Sequence, residues 1–175
     1  MKFSLTYFKV IDIFIILILY INSIKIGSLF PDIDHPKSYL GKRFPFISKK
    51  VNSIFHHRGF THSLLFIYSL VLISMLICIF LKIFYSSIYF CINIYIFSIE
   101  FGFILGCISH IFFDMLNPTG VALLYPSTKK YRLPLAPTIR CNSPGEKNLA
   151  TYLNFLTYSL FITYLFLIIK YFVVF

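Results

Sequence analysis

Nineteen consecutive residues without a charge, Ser63 to Leu81, constrain this chain more than any other feature. A helix needs about that length to cross a hydrocarbon core of roughly 30 Å. Three further apolar stretches have similar character. Ile13 to Phe30 is interrupted by Asn22, Ser23 and Lys25, and Tyr152 to Ile169 closes the chain. Ser86 to Leu116 would span about 46 Å as one helix, whereas two helices cut from it would be about 23 Å each, too short to cross without distortion. One long helix projecting from the bilayer is therefore expected. With 58% hydrophobic and 13% charged residues, the chain is excluded from the ordinary soluble class. The expectation is an all-α, polytopic membrane protein: a single domain over residues 1–175, with about four transmembrane helices in a bundle and two basic loops.

The opening "MKFSLTYFKVIDIF" is basic at its start but lacks a small-residue cleavage pattern after its apolar run, so a retained helix is expected in place of a signal peptide. Lys37, Lys42, Arg43, Lys49, Lys50 and Arg58 lie between the first and second spans. Lys129, Lys130, Arg132, Arg140 and Lys147 lie between the third and fourth. Four spans put both connections on one side, and the positive-inside rule makes that side cytoplasmic, with both termini facing away. The net charge of +10 then reflects loops beside anionic lipid, and nucleic acid is not expected as a partner. Cys78, Cys91, Cys107 and Cys141 show no C-x-x-C spacing and read as small core hydrophobes.

This topology rests on apolar length and Lys/Arg placement alone, yet the chemically informative residues gather at one rim of it. Asp32, Asp34 and His35 follow the first span in "PDIDHP". His57 and His62, in "HHRGFTHS", lead into the second, and His110 and Asp114, in "GCISHIFFDM", close the third. Four of five histidines and three of six acids thus converge at one membrane face. His110 and Asp114 stand four apart on a helix, one turn above the other, and can face a common ion. Gly102 and Gly106 continue that stripe as a G-x-x-x-G that admits a close helical neighbour.

Each cluster also has a purely structural explanation. Pro31 and Pro36 can bracket a helix stop whose aspartates satisfy backbone groups. Thr61 can be an N-cap with Gly59 allowing the preceding turn. Three such coincidences at one rim favour a site wall instead, because mixed imidazole and carboxylate suit a borderline-hard cation such as Zn²⁺ or Mn²⁺. His56 reads as a bystander. Glu100, deep in the third span, is a functional candidate or a protonated acid bonded to a neighbouring helix.

"SLFPDIDHPKSYLGKRF", "HRGFTHSLL", "LGCISHIFFDMLNPTGVALLYP" and "YRLP" resemble the YdjM family of bacterial inner-membrane proteins, in order and with family-like spacing from Gly27 to Pro134. That family is described as LexA-associated, membrane-bound metal-dependent hydrolases, distantly similar to the zinc-dependent phospholipase C group. The resemblance implies a helical inner-membrane protein, a link to the SOS response, and motif positions at Asp32, Asp34, His35, His57, Arg58, His62, His110 and Asp114. On this basis Asp34, His35, His57, His62, His110 and Asp114 are the expected ligands of a divalent metal, zinc first.

The leading reading is a metal-dependent hydrolase working at the cytoplasmic face on a phospholipid or other phosphoester. Asp32 or Asp34 would be its general base. Arg58 and Arg132 would hold phosphate through their guanidinium forks. The competing reading is a non-catalytic, metal-binding or stress-response membrane scaffold. A transporter is third, because the polar residues gather at one face and not at the midplane. Two departures from the family pattern stand out. No His precedes His35, so either one ligand fewer or an upstream start is expected, and Glu146 directly follows Gly145 where the family separates the two.

Overall fold

A computed structural model describes residues 2–84 and 86–133, with five single positions beyond them at 144, 148, 151, 152 and 155. The chain divides into two compact units, Met1–Leu133 and Pro134–Phe175, and the architecture below is that of the first. It is all-helical: α1 (Lys2–Leu29), a 3₁₀ turn (Pro31–Asp34), α2 (Tyr39–Arg43), α3 (Pro45–Phe55), a second 3₁₀ turn (Phe60–His62), α4 (Leu64–Phe84) and α5 (Ser86–Asp114). Among the described residues, three segments are long and apolar enough to cross a membrane, Ile11–Asp34, Leu64–Phe84 and Asn93–Asp114. The long third stretch is one helix, as its length requires. The fourth expected span, 152–169, lies outside the described residues apart from two single positions.

α5 packs along α1 and more briefly against α4. Small residues make the first contact close. A Cβ on Gly102 would stand 2.7 Å from the Tyr20 carbonyl oxygen, and Cβ atoms on Gly106 and Gly27 would strike the carbonyls of Ile24 and Phe103. The polar interruptions of α1 are absorbed by the same geometry. Ser23 is buried facing Gly102, and the Asn22 side chain donates to the Ile18 carbonyl at 2.8 Å. Glu100 accepts from Ser74 Oγ of α4 at 2.7 Å and from the Cys78 thiol at 3.4 Å, which accommodates an acid within the bundle.

Burial is inverted relative to a soluble domain. Large apolar side chains such as Leu76, Phe80 and Ile83 are exposed, which fits a lipid environment. The fully buried side chains include His62, Asp34, Ser48 and Ser63. These polar groups sit at one end of the bundle, where 30–35, 56–63 and 114–123 meet.

The connection between the first two spans is itself folded. Ser38 caps α2 by accepting the Gly41 N–H at 2.9 Å, and Pro45 opens α3, where a missing N–H costs nothing. Ser63, not Thr61, caps α4: its hydroxyl accepts the Phe66 N–H at 3.2 Å. After α5, a turn through Gly120 (φ 61°) leads to an isolated antiparallel bridge between Val121 and Tyr131. From this loop Leu123 accepts the Leu64 N–H at 2.9 Å, tying it to the start of α4.

Candidate metal centre

Pro31 ends α1 and starts a 3₁₀ turn that carries Asp32 and Asp34. At roughly 120° per residue, side chains two apart in such a turn point in different directions. Asp34 is fully buried and serves the strap 57–62. Its Oδ1 lies 2.8 Å from His57 Nδ1. Its Oδ2 accepts the Arg58 backbone N–H at 3.0 Å and the Thr61 hydroxyl at 2.6 Å. The Asn52 side chain donates to the Asp34 carbonyl at 2.7 Å, adding α3 to the same anchor.

The strap carries backbone strain. His56 (φ 57°) and Arg58 (φ 62°) both occupy the left-handed region, which costs a non-glycine residue about 1–3 kcal/mol. Arg58 is held there from several sides. Besides its N–H on Asp34, its carbonyl accepts from the Ala122 N–H at 3.3 Å. Its guanidinium donates to Asp114 Oδ1 at 2.8 Å and to the Thr119 hydroxyl.

Asp32 points the other way, toward His62, His110 and Asp114. His62 Nε2 lies 3.2 Å from Asp114 Oδ2 and 3.8 Å from Asp32 Oδ1. His110 Nε2 lies 3.6 Å from Asp32 Oδ1 and 3.8 Å from Asp114 Oδ2. Three of these four atoms, His62 Nε2, His110 Nε2 and Asp114 Oδ2, are buried without a hydrogen-bond partner. Their opposite ends are secured. His110 Nδ1 is 2.6 Å from the Ser28 carbonyl, and His62 Nδ1 is 3.0 Å from the Thr61 hydroxyl and 3.3 Å from Asp34 Oδ2. Both rings thus have acceptors for an Nδ1 proton and turn Nε2 inward, the orientation that metal-ligating histidines receive from surrounding acceptors.

Unpartnered buried atoms are costly, and here they converge on one point. Three carboxylates, Asp32, Asp34 and Asp114, gather here, and the Arg58 guanidinium meets that of Asp114, so with neutral imidazoles the cluster has an excess of negative charge. The residues present thus fit a divalent cation. Asp32, His62 and His110 form one group able to hold it, and Asp32, Asp34 and His57 form a second. In the second, the Asp34 carboxylate already accepts the Arg58 N–H and the Thr61 hydroxyl, so the first is the better cage. Burial alone would push the His62 imidazole down, but Asp114 and Asp34 outweigh it and raise its pKa to about 9. A proton and a cation therefore compete for that position.

Among the expected ligands, His62 and His110 share the first group with Asp32, and Asp114 borders it, its Oδ2 lying 3.2 Å from His62 Nε2 and 3.8 Å from His110 Nε2. Asp34 and His57 stand behind it. His35 stacks on His57, with ring centroids 4.5 Å apart, and joins neither group. Arg58 is bound to Asp114, while Arg132 is exposed beside Gly120. The Ser28 carbonyl, Thr119 and Asn52 had no legible signal, since backbone acceptors and loop amides are not marked by residue type or spacing.

Three apolar spans ending around a buried His/Asp cluster define a multi-span helical membrane protein with residues able to hold a metal. The family model for the YdjM inner membrane protein matches residues 7–174, and the chain belongs to that family. It is 45% identical over 107 residues to the inner membrane protein YdjM of Escherichia coli (strain K12), covering 61% of this chain and 49% of the relative. The Shigella flexneri protein of the same name matches equally. YvsG of Bacillus subtilis (strain 168) is 42% identical over 110 residues, covering 63% of this chain and 59% of that one. The chain thus spans about half the length of the curated relatives it matches. No solved structure matches it.

Proposed function

We propose that this chain is a metal-dependent hydrolase acting on phosphoesters at the cytoplasmic face of the inner membrane, with zinc as its ion. The observation that carries the reading is the convergence of three partnerless buried atoms, on His62, His110 and Asp114, beside the carboxylate of Asp32. Zinc–ligand bonds of about 2.0–2.2 Å give tetrahedral edges of about 3.3–3.6 Å, close to the 3.2–3.8 Å separations here. His62, His110 and Asp114 would hold the ion. When bound, it supplies a Lewis acid that acidifies water and polarises a phosphoryl or carbonyl oxygen.

The chain's own residues divide the remaining work. Asp32 is the most exposed member of the cage, its side chain 36% accessible against 0% for His62, so it faces the approaching reactants and takes the proton from water. Asp34 and Thr61 fix the His62 tautomer, and the Ser28 carbonyl fixes that of His110. Arg58 holds Asp114 in place, and Arg132 is the more exposed cation for drawing in phosphate. The cytoplasmic assignment is supported by the basic residues of the 35–63 connection.

The test is the metal content of detergent-purified protein, compared with His110→Ala. Near-stoichiometric zinc that disappears in the variant supports the centre. Metal-free wild type under non-chelating conditions overturns it, and loaded protein inert toward a broad phosphoester panel leaves a metal-stabilised scaffold.

A further inference from the structure

Immediately behind the cage lies a hollow of about 480 Å³, within the range that holds small organic ligands. It is bounded by the end of α1, the first 3₁₀ turn, α2, α3 and the start of α4. Every lining residue is apolar except Thr61. Such a space offers water too few partners to be filled stably, so its natural occupant is hydrocarbon.

Its position narrows that occupant further. Ile26 of α1 and Phe66 of α4 belong to spanning segments, so the hollow begins at the level of the acyl chains. Ile26, Phe44 and Ile47 on its wall are all more than 45% exposed, which leaves a way in from the side. Its far wall touches the cage: Ile33 stands between Asp32 and Asp34, and Thr61 donates to Asp34 at 2.6 Å. Exposed Lys42, Arg43, Lys49 and Lys50 flank lining residues Phe44, Ile47 and Val51, and such cations attract anionic lipid headgroups.

We propose that this hollow seats one acyl chain of an anionic phospholipid and so brings its phosphate ester to the cage. With the hydrolase reading above as its basis, the substrate class becomes a membrane lipid in place of a soluble phosphoester. The α2–α3 segment acts as a roof over the chain, lying in the headgroup region as amphipathic interfacial helices do.

The chain has no Trp, so a single introduced one reports without background. Ile47→Trp places it on the wall of the hollow, and Phe46→Trp places it one residue away at a position 89% exposed and outside the lining. Each variant is titrated in detergent with lysophosphatidylglycerol brominated on its chain, and with a brominated fatty acid of equal length. Saturable quenching is expected at Ile47→Trp only, with the fatty acid at least tenfold weaker. Adding Val51→Phe, which narrows the hollow, should weaken quenching about tenfold with zinc content unchanged. Equal quenching at both positions, equal binding of the fatty acid, or indifference to Val51→Phe overturns the proposal. Saturable lipid binding by a protein that hydrolyses nothing would sink the hydrolase reading alone, whereas turnover of soluble esters without saturable quenching would sink the acyl site alone.

Discussion

His110 Nδ1 lies 2.6 Å from the carbonyl oxygen of Ser28, so the last turn of α1 orients an imidazole carried by α5. The contact exists because the two helices touch backbone to backbone. A Cβ on Gly106, one turn before His110, would strike the Ile24 carbonyl one turn before Ser28. Helix packing and the orientation of the His110 ring are thus the same geometric fact.

Gly106→Val should therefore damage the metal centre without touching it. Overpacking costs about 1–3 kcal/mol where no flexible group can yield, and here the obstacle is backbone. Lower thermal stability in detergent should accompany weaker zinc binding. Normal zinc affinity in a destabilised Gly106→Val protein would mean that the α1–α5 contact does not orient His110.

Thr61 supports a prediction about the second imidazole. Its hydroxyl donates to Asp34 and lies 3.0 Å from His62 Nδ1. Thr61→Val should lower zinc affinity by about 10–100-fold, the usual effect of losing a group that orients a ligand, and Thr61→Ser should restore it. Equal affinity in the Val and Ser variants would assign the threonine to packing.

The first three spans, the glycine stripe and the three polar clusters were legible because each depends on local length, spacing or composition. The division of labour between Asp32 and Asp34 was not. The two differ by two positions in a 3₁₀ turn, and their directions are decided by a strap more than twenty residues away. The pairing of Arg58 with Asp114 was hidden for a related reason: a guanidinium that receives phosphate and one that pairs with a carboxylate look alike until the loop at 117–122 is placed. Thr61 and Ser63 were equally good caps by residue type, and only the tertiary demand of Asp34 separates them.

The raised pKa of His62, about 9, gives a signed pH dependence. In metal-free protein this imidazolium stabilises the fold fully below its unfolded value of about 6.5, and that contribution is lost as pH rises through about 9. Zinc requires the neutral ring, so binding releases a proton, and apparent affinity should rise by up to about tenfold per pH unit from pH 6.5 to 9. Calorimetry in buffers of different ionisation enthalpy would measure the proton. A flat affinity across that range would remove His62 from the ligand set.

Sidedness can be read from single cysteines introduced in a background without native ones. Ser53 and Ser127 are exposed on the connections beside the cage, and Ser86 opens α5 at the far end of α4. Probes at Ser53 and Ser127 should label from the cytoplasm and one at Ser86 from the other side. The reverse pattern would move the site to the outer face and leave the positive-inside reading wrong.

Asp32 and Asp114 offer the sharpest separation of chemistry from binding. Asp114 Oδ2 is buried and partnerless, and its Oδ1 is held by Arg58, so Asp114→Asn replaces an anionic ligand by a poorer neutral one. That variant should lose zinc. Asp32 lies at the open edge with no comparable anchor for its carboxylate, and Asp32→Asn should keep most of the zinc while lowering turnover by about 100–10,000-fold, the usual contribution of a general base. Zinc content and hydrolysis of anionic phospholipid, measured on the same preparations, distinguish the two. Equal zinc loss in both variants would make Asp32 a fourth ligand, and the proton would then have to leave by another group at the open edge of the cage.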